Sequence, residues 1–163
     1  MSNQAFIDGQ NLYNNTKSNN WKIDLKKFRV YLKEKYKVEN AYYFIGYMTE
    51  DNQQLYESIQ KAGYILIFRE HNQKMLGKKK GNVDTDIVFS ILSRIIDKED
   101  FEKVVLVSGD GDYFKTVKYL IEKNRFAKLL APNRNSTSSL YKRFTPKYVD
   151  FLDTPGIKRK IKI

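Results

Sequence analysis

The run Val104-Val105-Leu106-Val107-Ser108-Gly109-Asp110-Gly111-Asp112-Tyr113-Phe114 limits what this chain can fold into more than any other stretch. Four consecutive apolar residues, three of them β-branched, read as a strand buried on both faces, which is the pattern of a parallel sheet. Gly109 and Gly111 mark a sharp turn at the carboxyl end of that strand. Beyond it, Phe114, Val117, Leu120 and Ile121 recur at helical spacing within Tyr113–Lys123. Asp110 and Asp112 therefore occupy a strand-to-helix turn, the place where open α/β sheets put their ligands.

The remaining segments repeat the rhythm. Ala5-Phe6-Ile7-Asp8 is a short strand that also ends in an acid before a glycine. Gly9-Gln10-Asn11 reads as a turn and Asn15–Asn20 as a polar loop. Leu25, Phe28, Leu32 and Tyr36 predict an amphipathic helix with Asp24 as its N-cap. Val38–Gly46 reads as a strand, Leu55, Ile59 and Ala62 as a helix stopped by Gly63, and Tyr64–Phe68 as a third strand. Arg69–Asn82 breaks the pattern as a basic loop carrying His71, Lys74, Lys78, Lys79 and Lys80. Val83–Asp97 predicts a strong helix, and Phe126–Ala131 a strand after the central one. Ser136–Phe144 reads as a short helix, Tyr148–Leu152 as a short last strand, and Lys158–Lys162 as a frayed basic tail. Alternating strands and helices imply an α/β fold with a parallel sheet and helices on both faces. The expected organisation is one domain over residues 1–153 and a basic C-terminal tail over 154–163.

Composition removes several chemistries. The chain has no cysteine and one histidine, so a disulfide framework, a thiolate zinc site, an iron–sulfur cluster, a cysteine nucleophile and a multi-histidine metal site are all excluded. Net charge is +11, from 30 Lys+Arg against 19 Asp+Glu, which favours a polyanionic partner, although a lysine-rich surface from a biased genome gives the same number. The N-terminal Met1-Ser2-Asn3-Gln4 is not a signal peptide and no apolar run approaches ~18 residues, so a cytoplasmic protein with no membrane partner is expected.

Helix geometry separates two further acids. At ~100° per residue, Asp84 falls roughly 30° from the centre of the apolar stripe Ile87–Ile96, whereas Asp86 falls roughly 170° away. An acid aligned with a core stripe requires a cap role, a partner or a metal. Asp86 reads as solvated, or as one contact removed from a ligand. Acids at three separate strand or helix ends, Asp8, Asp84 and Asp110 with Asp112, would repel one another and stay ionised together only around a cation. All-oxygen ligands without His or Cys suit Mg²⁺ or Mn²⁺.

On these residues the sequence resembles the NYN domain, a branch of the PIN-like nuclease superfamily, and its bacterial LabA-like members in particular. The matching pieces are Phe6-Ile7-Asp8-Gly9-Gln10-Asn11-Leu12-Tyr13, Lys80-Gly81-Asn82-Val83-Asp84, and Val107-Ser108-Gly109-Asp110-Gly111-Asp112-Tyr113-Phe114, with a weaker echo in Tyr148-Val149-Asp150-Phe151-Leu152. Asn82 departs from the pattern as an inserted residue. The resemblance spans residues 4 to 153. It implies a Rossmann-like, PIN-like sheet of strand order 3-2-1-4-5, which would bring Asp8 and Asp110 together. It also implies a divalent-metal site and hydrolysis of RNA. Carried over by position, Asp8, Asp84, Asp110 and Asp112 would form the acidic cluster, and Asn11 would order the site or hold a phosphate.

The function expected is a ribonuclease whose Asp8, Asp84, Asp110 and Asp112 hold Mg²⁺ or Mn²⁺, with Asn11 at the reacting centre and Ser108 and Asp86 behind the ligands. Lys74, Lys78, Lys79 and Lys80 would neutralise RNA phosphates. Tyr13, Trp21 and Tyr113, if exposed, would stack on unpaired bases. The alternative is a non-catalytic RNA-binding NYN module with a vestigial site. A receiver domain and a haloacid-dehalogenase-type phosphatase fit less well, because Asp8 is followed by Gly9-Gln10 and Ala131-Pro132 ends the fifth strand. No Walker-type loop or Gly-x-Gly-x-x-Gly fingerprint occurs. A homo-oligomer is allowed by the sequence.

Overall fold

The computed structural model of the chain describes residues 1–46, 50–69 and 83–163. Six strands form one all-parallel sheet: β1 (Asn3–Asp8), β2 (Val38–Ile45), β3 (Ile65–Phe68), β4 (Val104–Val107), β5 (Phe126–Ala131) and β6 (Val149–Phe151), in the order β3-β2-β1-β4-β5-β6. The expected 3-2-1-4-5 order is present, and Val149–Phe151 extends it beyond β5. β1 pairs with both β2 and β4, with Ile7 opposite Val107 and Asp8 opposite Phe44. The reversal of strand order therefore falls at the carboxyl ends of β1 and β4, the crevice of an open α/β sheet.

Period-two alternation sorts β1 between two cores. Ala5 and Ile7 face one side with Val105, Val107, Ala41 and Tyr43. There they meet α2 (Leu25–Tyr36) through Phe28 and Leu32, and α3 (Gln53–Lys61) through Ile59. Phe6 faces the other side with Phe44, Leu106 and Leu129. That side is covered by α4 (Asp84–Ile96) through Ile87 and Ile91, and by α5 (Phe114–Glu122) through Val117 and Leu120. Asp24 caps α2 as expected, its carboxylate accepting from Lys27 N at 3.1 Å.

Two expectations are corrected. The residues read as a turn and polar loop after β1 form α1 (Gly9–Lys17), whose inward side is Gly9, Leu12 and Thr16. The Thr16 hydroxyl donates to Leu12 O at 2.9 Å, so a polar residue is buried with its hydrogen bond made inside its own helix. The expected frayed tail is instead α6 (Pro155–Ile161), opened by a proline at its start, where the missing N–H costs nothing. Ile161 is fully buried against the α1–α2 side of the sheet, and its carbonyl accepts from Asp24 N at 2.8 Å. The expected short helix after β5 is present as two 3-10 segments, Arg134–Ser136 and Ser139–Phe144. No described helix is long and apolar enough to cross a membrane. Lys74, Lys78, Lys79 and Lys80 lie outside the described residues.

Candidate active site

Asp8 ends β1 with its carboxylate almost sealed from solvent. Its Oδ1 accepts from Asn11 N at 3.1 Å, making Asp8 the N-cap of α1. The turn needs a glycine at residue 9, because a Cβ there would stand 2.5 Å from Tyr43 Cε1 and 2.7 Å from the Phe44 carbonyl oxygen. Asn11 then reaches across to β4's turn, where its Oδ1 accepts from Gly109 N at 3.1 Å. The second turn is built the same way. Ser108 Oγ accepts from Asp110 N at 3.1 Å, and Asp110 Oδ1 accepts from Asp112 N at 2.9 Å, capping a 3-10 turn over Gly111–Tyr113. Tyr141 donates its hydroxyl to the Asp110 carbonyl at 2.5 Å and holds the turn from behind. Gly111 is packed against Ser138, whose Oγ would lie 2.7 Å from any Cβ placed there.

The third acid comes from α4. Asp84 is the first helical residue, and the cap position before it is Val83, which makes no side-chain cap bond. Asp84 thus does not cap its helix. One carboxylate oxygen each from Asp84, Asp110 and Asp112 converge to within 4.8 Å of one another. Asp84 and Asp112 line a groove of about 480 Å³ together with Thr85, Val88 and Phe89. Asp84 and Asp110 are half-buried and Asp112 is exposed.

Tyr113 links the fourth acid to these three. It is fully buried, and its hydroxyl lies 2.8 Å from Asp84 Oδ1 and 3.1 Å from Asp8 Oδ2. A phenol carries one O–H, so it donates to one carboxylate at a time. Two placements follow. Tyr113, a stacking candidate only if exposed, is a buried bridge, because its ring sits among core residues while its hydroxyl finds partners at the sheet edge. Asp8, expected as a ligand beside the others, lies outside the group of converging oxygens; one of its oxygens caps α1 and the other meets Tyr113.

Burial and crowding set the protonation of the site. Burial foremost, then the hydrogen bond that the protonated Asp84 donates to Asp112 and the charges of Asp110 and Asp8, push the Asp84 carboxyl up to about 7 against the pull of Tyr113. Asp8 is raised in the same direction, by burial first and by the Asp110 charge, opposed by its bonds from Asn11 and Tyr113. The Tyr113 phenol is held neutral by burial and by the two carboxylates. Oxygen-only donors from three half-open carboxylates fit Mg²⁺ or Mn²⁺.

The other expected site residues are placed as follows. Asn11 and Ser108 bind the backbone of the Gly109–Asp110 turn. Asp86 is outside the converging group and lines a neighbouring groove with Phe44, Phe68 and Phe89, the last of which also lines the groove beside Asp84. Tyr13 is 58% exposed, whereas Trp21 is largely buried. The bridging role of Tyr113 and the bracing role of Tyr141 were missed from sequence; the available signal was a tyrosine with a polar tip directly after a paired-acid turn.

Carboxylates at the crossover of a parallel Rossmann-like sheet occupy the usual ligand site of an open α/β domain. The NYN-domain family model matches residues 4–153, and the chain belongs to the NYN-domain family, a PIN-like nuclease-type fold. The chain is 24% identical over 157 aligned residues to the "Low amplitude and bright protein LabA" of Synechococcus elongatus, covering 91% of this chain and 82% of that protein. It is also similar in structure to a crystallised Vibrio parahaemolyticus protein of unknown function, with a TM-score of 0.76 at 19% identity, covering 99% of this chain and 96% of that one.

Proposed function

We propose that this protein is a divalent-metal-dependent ribonuclease. The observation that carries the reading is the convergence of Asp84, Asp110 and Asp112 oxygens within 4.8 Å at the sheet crossover, beside a groove that Asp84 and Asp112 line. Membership of a nuclease-type family and the +11 charge support a nucleic acid as partner. Asp84, Asp110 and Asp112 would hold Mg²⁺ or Mn²⁺. Such an ion, when bound, supplies an activated water and charge stabilisation for phosphodiester hydrolysis.

The chain's own residues do the positioning. Asn11 fixes the β1 turn against the β4 turn, so the acids on both keep one spacing. Ser108 and Tyr141 set the backbone from which Asp110 and Asp112 project. Tyr113 holds a proton at Asp84 Oδ1 or Asp8 Oδ2 and ties the sealed acid to the open ones. Lys74, Lys78, Lys79 and Lys80 are assigned to RNA phosphates by their charge alone.

The test is incubation of labelled single-stranded and structured RNA with the protein in Mn²⁺, Mg²⁺ or EDTA. Cleavage with either ion and none in EDTA is expected. RNA that binds but stays intact with both ions would leave the non-catalytic RNA-binding module as the function.

A further inference from the structure

Seen from α1, the molecule has two sides. The helix begins at Asp8 and Asn11 in the acidic site, and its next turns line a separate groove of about 460 Å³ on the α2 side of the sheet. That volume is within the ~300–1,000 Å³ of sites that take small, largely apolar ligands or parts of them. Tyr13 lines it as an exposed ring, the largely buried Trp21 and Tyr43 back it, and Leu55, Lys17 and Lys22 add to the lining.

Rings and ammonium groups are interleaved. Lys17 Nζ lies 5.6 Å from the centre of the Tyr13 ring, and Lys158 Nζ lies 5.3 Å from that of Trp21. A purely apolar occupant gives those ammonium groups nothing to neutralise. A flat base on an anionic backbone uses both, since its π-face stacks on an aromatic side chain and its phosphate meets lysine. The groove residues of α1, Leu12 to Lys17, follow Asp8 by roughly 6–14 Å at 1.5 Å rise per residue. That is a span a few unpaired nucleotides cover.

We propose that this groove is a docking site for an unpaired base and its phosphate in single-stranded RNA, lying upstream or downstream of the acidic site along the strand. The inference rests on RNA as the partner assigned above and does not depend on cleavage.

Trp21 is the chain's one tryptophan, so its emission reports on the groove directly. The experiment titrates the intact protein in EDTA with a short 2′-O-methyl oligouridine, which is not cleaved, and follows Trp21 emission beside the anisotropy of a labelled copy. Both signals should saturate together. Tyr13→Ala, at an exposed position, should weaken binding about tenfold, as for loss of one stacked base. Lys17→Ala with Lys22→Ala should flatten the salt dependence by about 0.7 in slope for each phosphate that is no longer neutralised. Oligouridine bound with Trp21 silent, full affinity in Tyr13→Ala, or no binding by either signal each overturns the proposal. So does UMP binding as tightly as the oligomer, which would make the occupant a free nucleotide, or oleate quenching Trp21 where the oligomer does not. Cleavage of RNA by parent and Tyr13→Ala alike, with Trp21 silent, removes the groove and leaves the nuclease standing. Saturable quenching without cleavage in Mn²⁺ does the reverse.

Discussion

Among the described residues, tyrosine hydroxyls meet aspartate carboxylates in two regions, around Tyr36 and around Tyr113, and they are built to opposite ends. Tyr36, the last residue of α2, donates to Asp150 Oδ2 on β6 at 2.5 Å, and Lys128 Nζ stands 3.9 Å from the same oxygen. One phenol, one carboxylate and one ammonium balance there, and Lys128 further donates to the Lys147 carbonyl at 2.9 Å. At the sheet crossover a single hydroxyl, that of Tyr113, lies between two carboxylates, and Asp110 and Asp112 crowd the second of these. Among the described residues no lysine or arginine forms a salt bridge with Asp8, Asp110 or Asp112. The same pair chemistry is charge-balanced in one region and over-acidic in the other. The balanced pair fastens β6 to α2. An over-acidic one is electrostatically suited to positive charge from outside.

The comparison breaks most visibly in cleavage. Asp84→Asn and Asp112→Asn should each lower RNA cleavage by more than about a hundredfold, beyond the 10–100-fold typical of losing an outer partner of a metal site. Asp150→Ala should leave cleavage intact and lower the melting temperature, by about 2–4 °C per kcal/mol of destabilisation at this chain size. Asp86→Asn, facing its neighbouring groove, should leave cleavage nearly unchanged. If Asp150→Ala abolished cleavage in a folded protein, or Asp86→Asn matched Asp84→Asn, the division between the regions would be wrong.

The two tyrosines sharpen it next. Tyr113→Phe removes the hydroxyl that ties Asp8 to Asp84 and should weaken Mn²⁺ binding by about 10–100-fold. Tyr36→Phe leaves Asp150 with Lys128 and should not move Mn²⁺ affinity. Calorimetric titration of both variants distinguishes a bridge that organises ligands from one that only packs.

A pH dependence belongs to the crossover alone. Asp84 carries a carboxyl raised from 3.8 to about 7, so between those values the native state keeps a proton that the unfolded chain has lost. Stability then falls as pH rises across that window and levels off above it. Asp8, raised as well, adds in the same direction. A bound dication needs Asp84 ionised, so Mn²⁺ affinity should climb through the window up to about pH 7. Asp84→Asn should flatten both slopes; a variant whose metal-free stability kept the parent's pH dependence from 4 to 7 would contradict the assigned direction.

Much of this architecture was legible because it is carried by apolar pattern. β4 and its Asp110–Asp112 turn stand out as an uninterrupted apolar run stopped by glycines, and α4 as a strong stripe. What stayed hidden is polar residues turned inward. α1 buries only Gly9, Leu12 and Thr16, and Thr16 satisfies its hydroxyl on the helix backbone, so the segment reads as loop. α6 has Ile157 and Ile161 as its apolar contacts among five basic or small residues, and only its packing on α2 makes it a helix. The acids were legible as a set, since each ends an element. Their division into three converging oxygens and one sealed behind Tyr113 was not, because it depends on which oxygen each cap uses.

The smallest expected effect is also the most diagnostic of what the acids are for. In Asp110→Asn the amide oxygen can still accept from Asp112 N, the 2.9 Å bond that caps the 3-10 turn, so the turn keeps its cap. What the substitution removes is one negative charge whose field raises both Asp84 and Asp8. In EDTA the variant should therefore melt slightly higher than the parent. Added Mn²⁺ should stabilise the parent by mass action, by about 2.7 kcal/mol at a hundred times the dissociation constant, and the variant much less. If Asp110 served only the turn, its charge would be immaterial, the variant would melt at or below the parent, and Mn²⁺ would shift neither. A thermal scan of the two proteins with and without Mn²⁺ reads that difference with no substrate at all, and so separates a repulsive cluster that a cation relieves from a pair of well-capped turns.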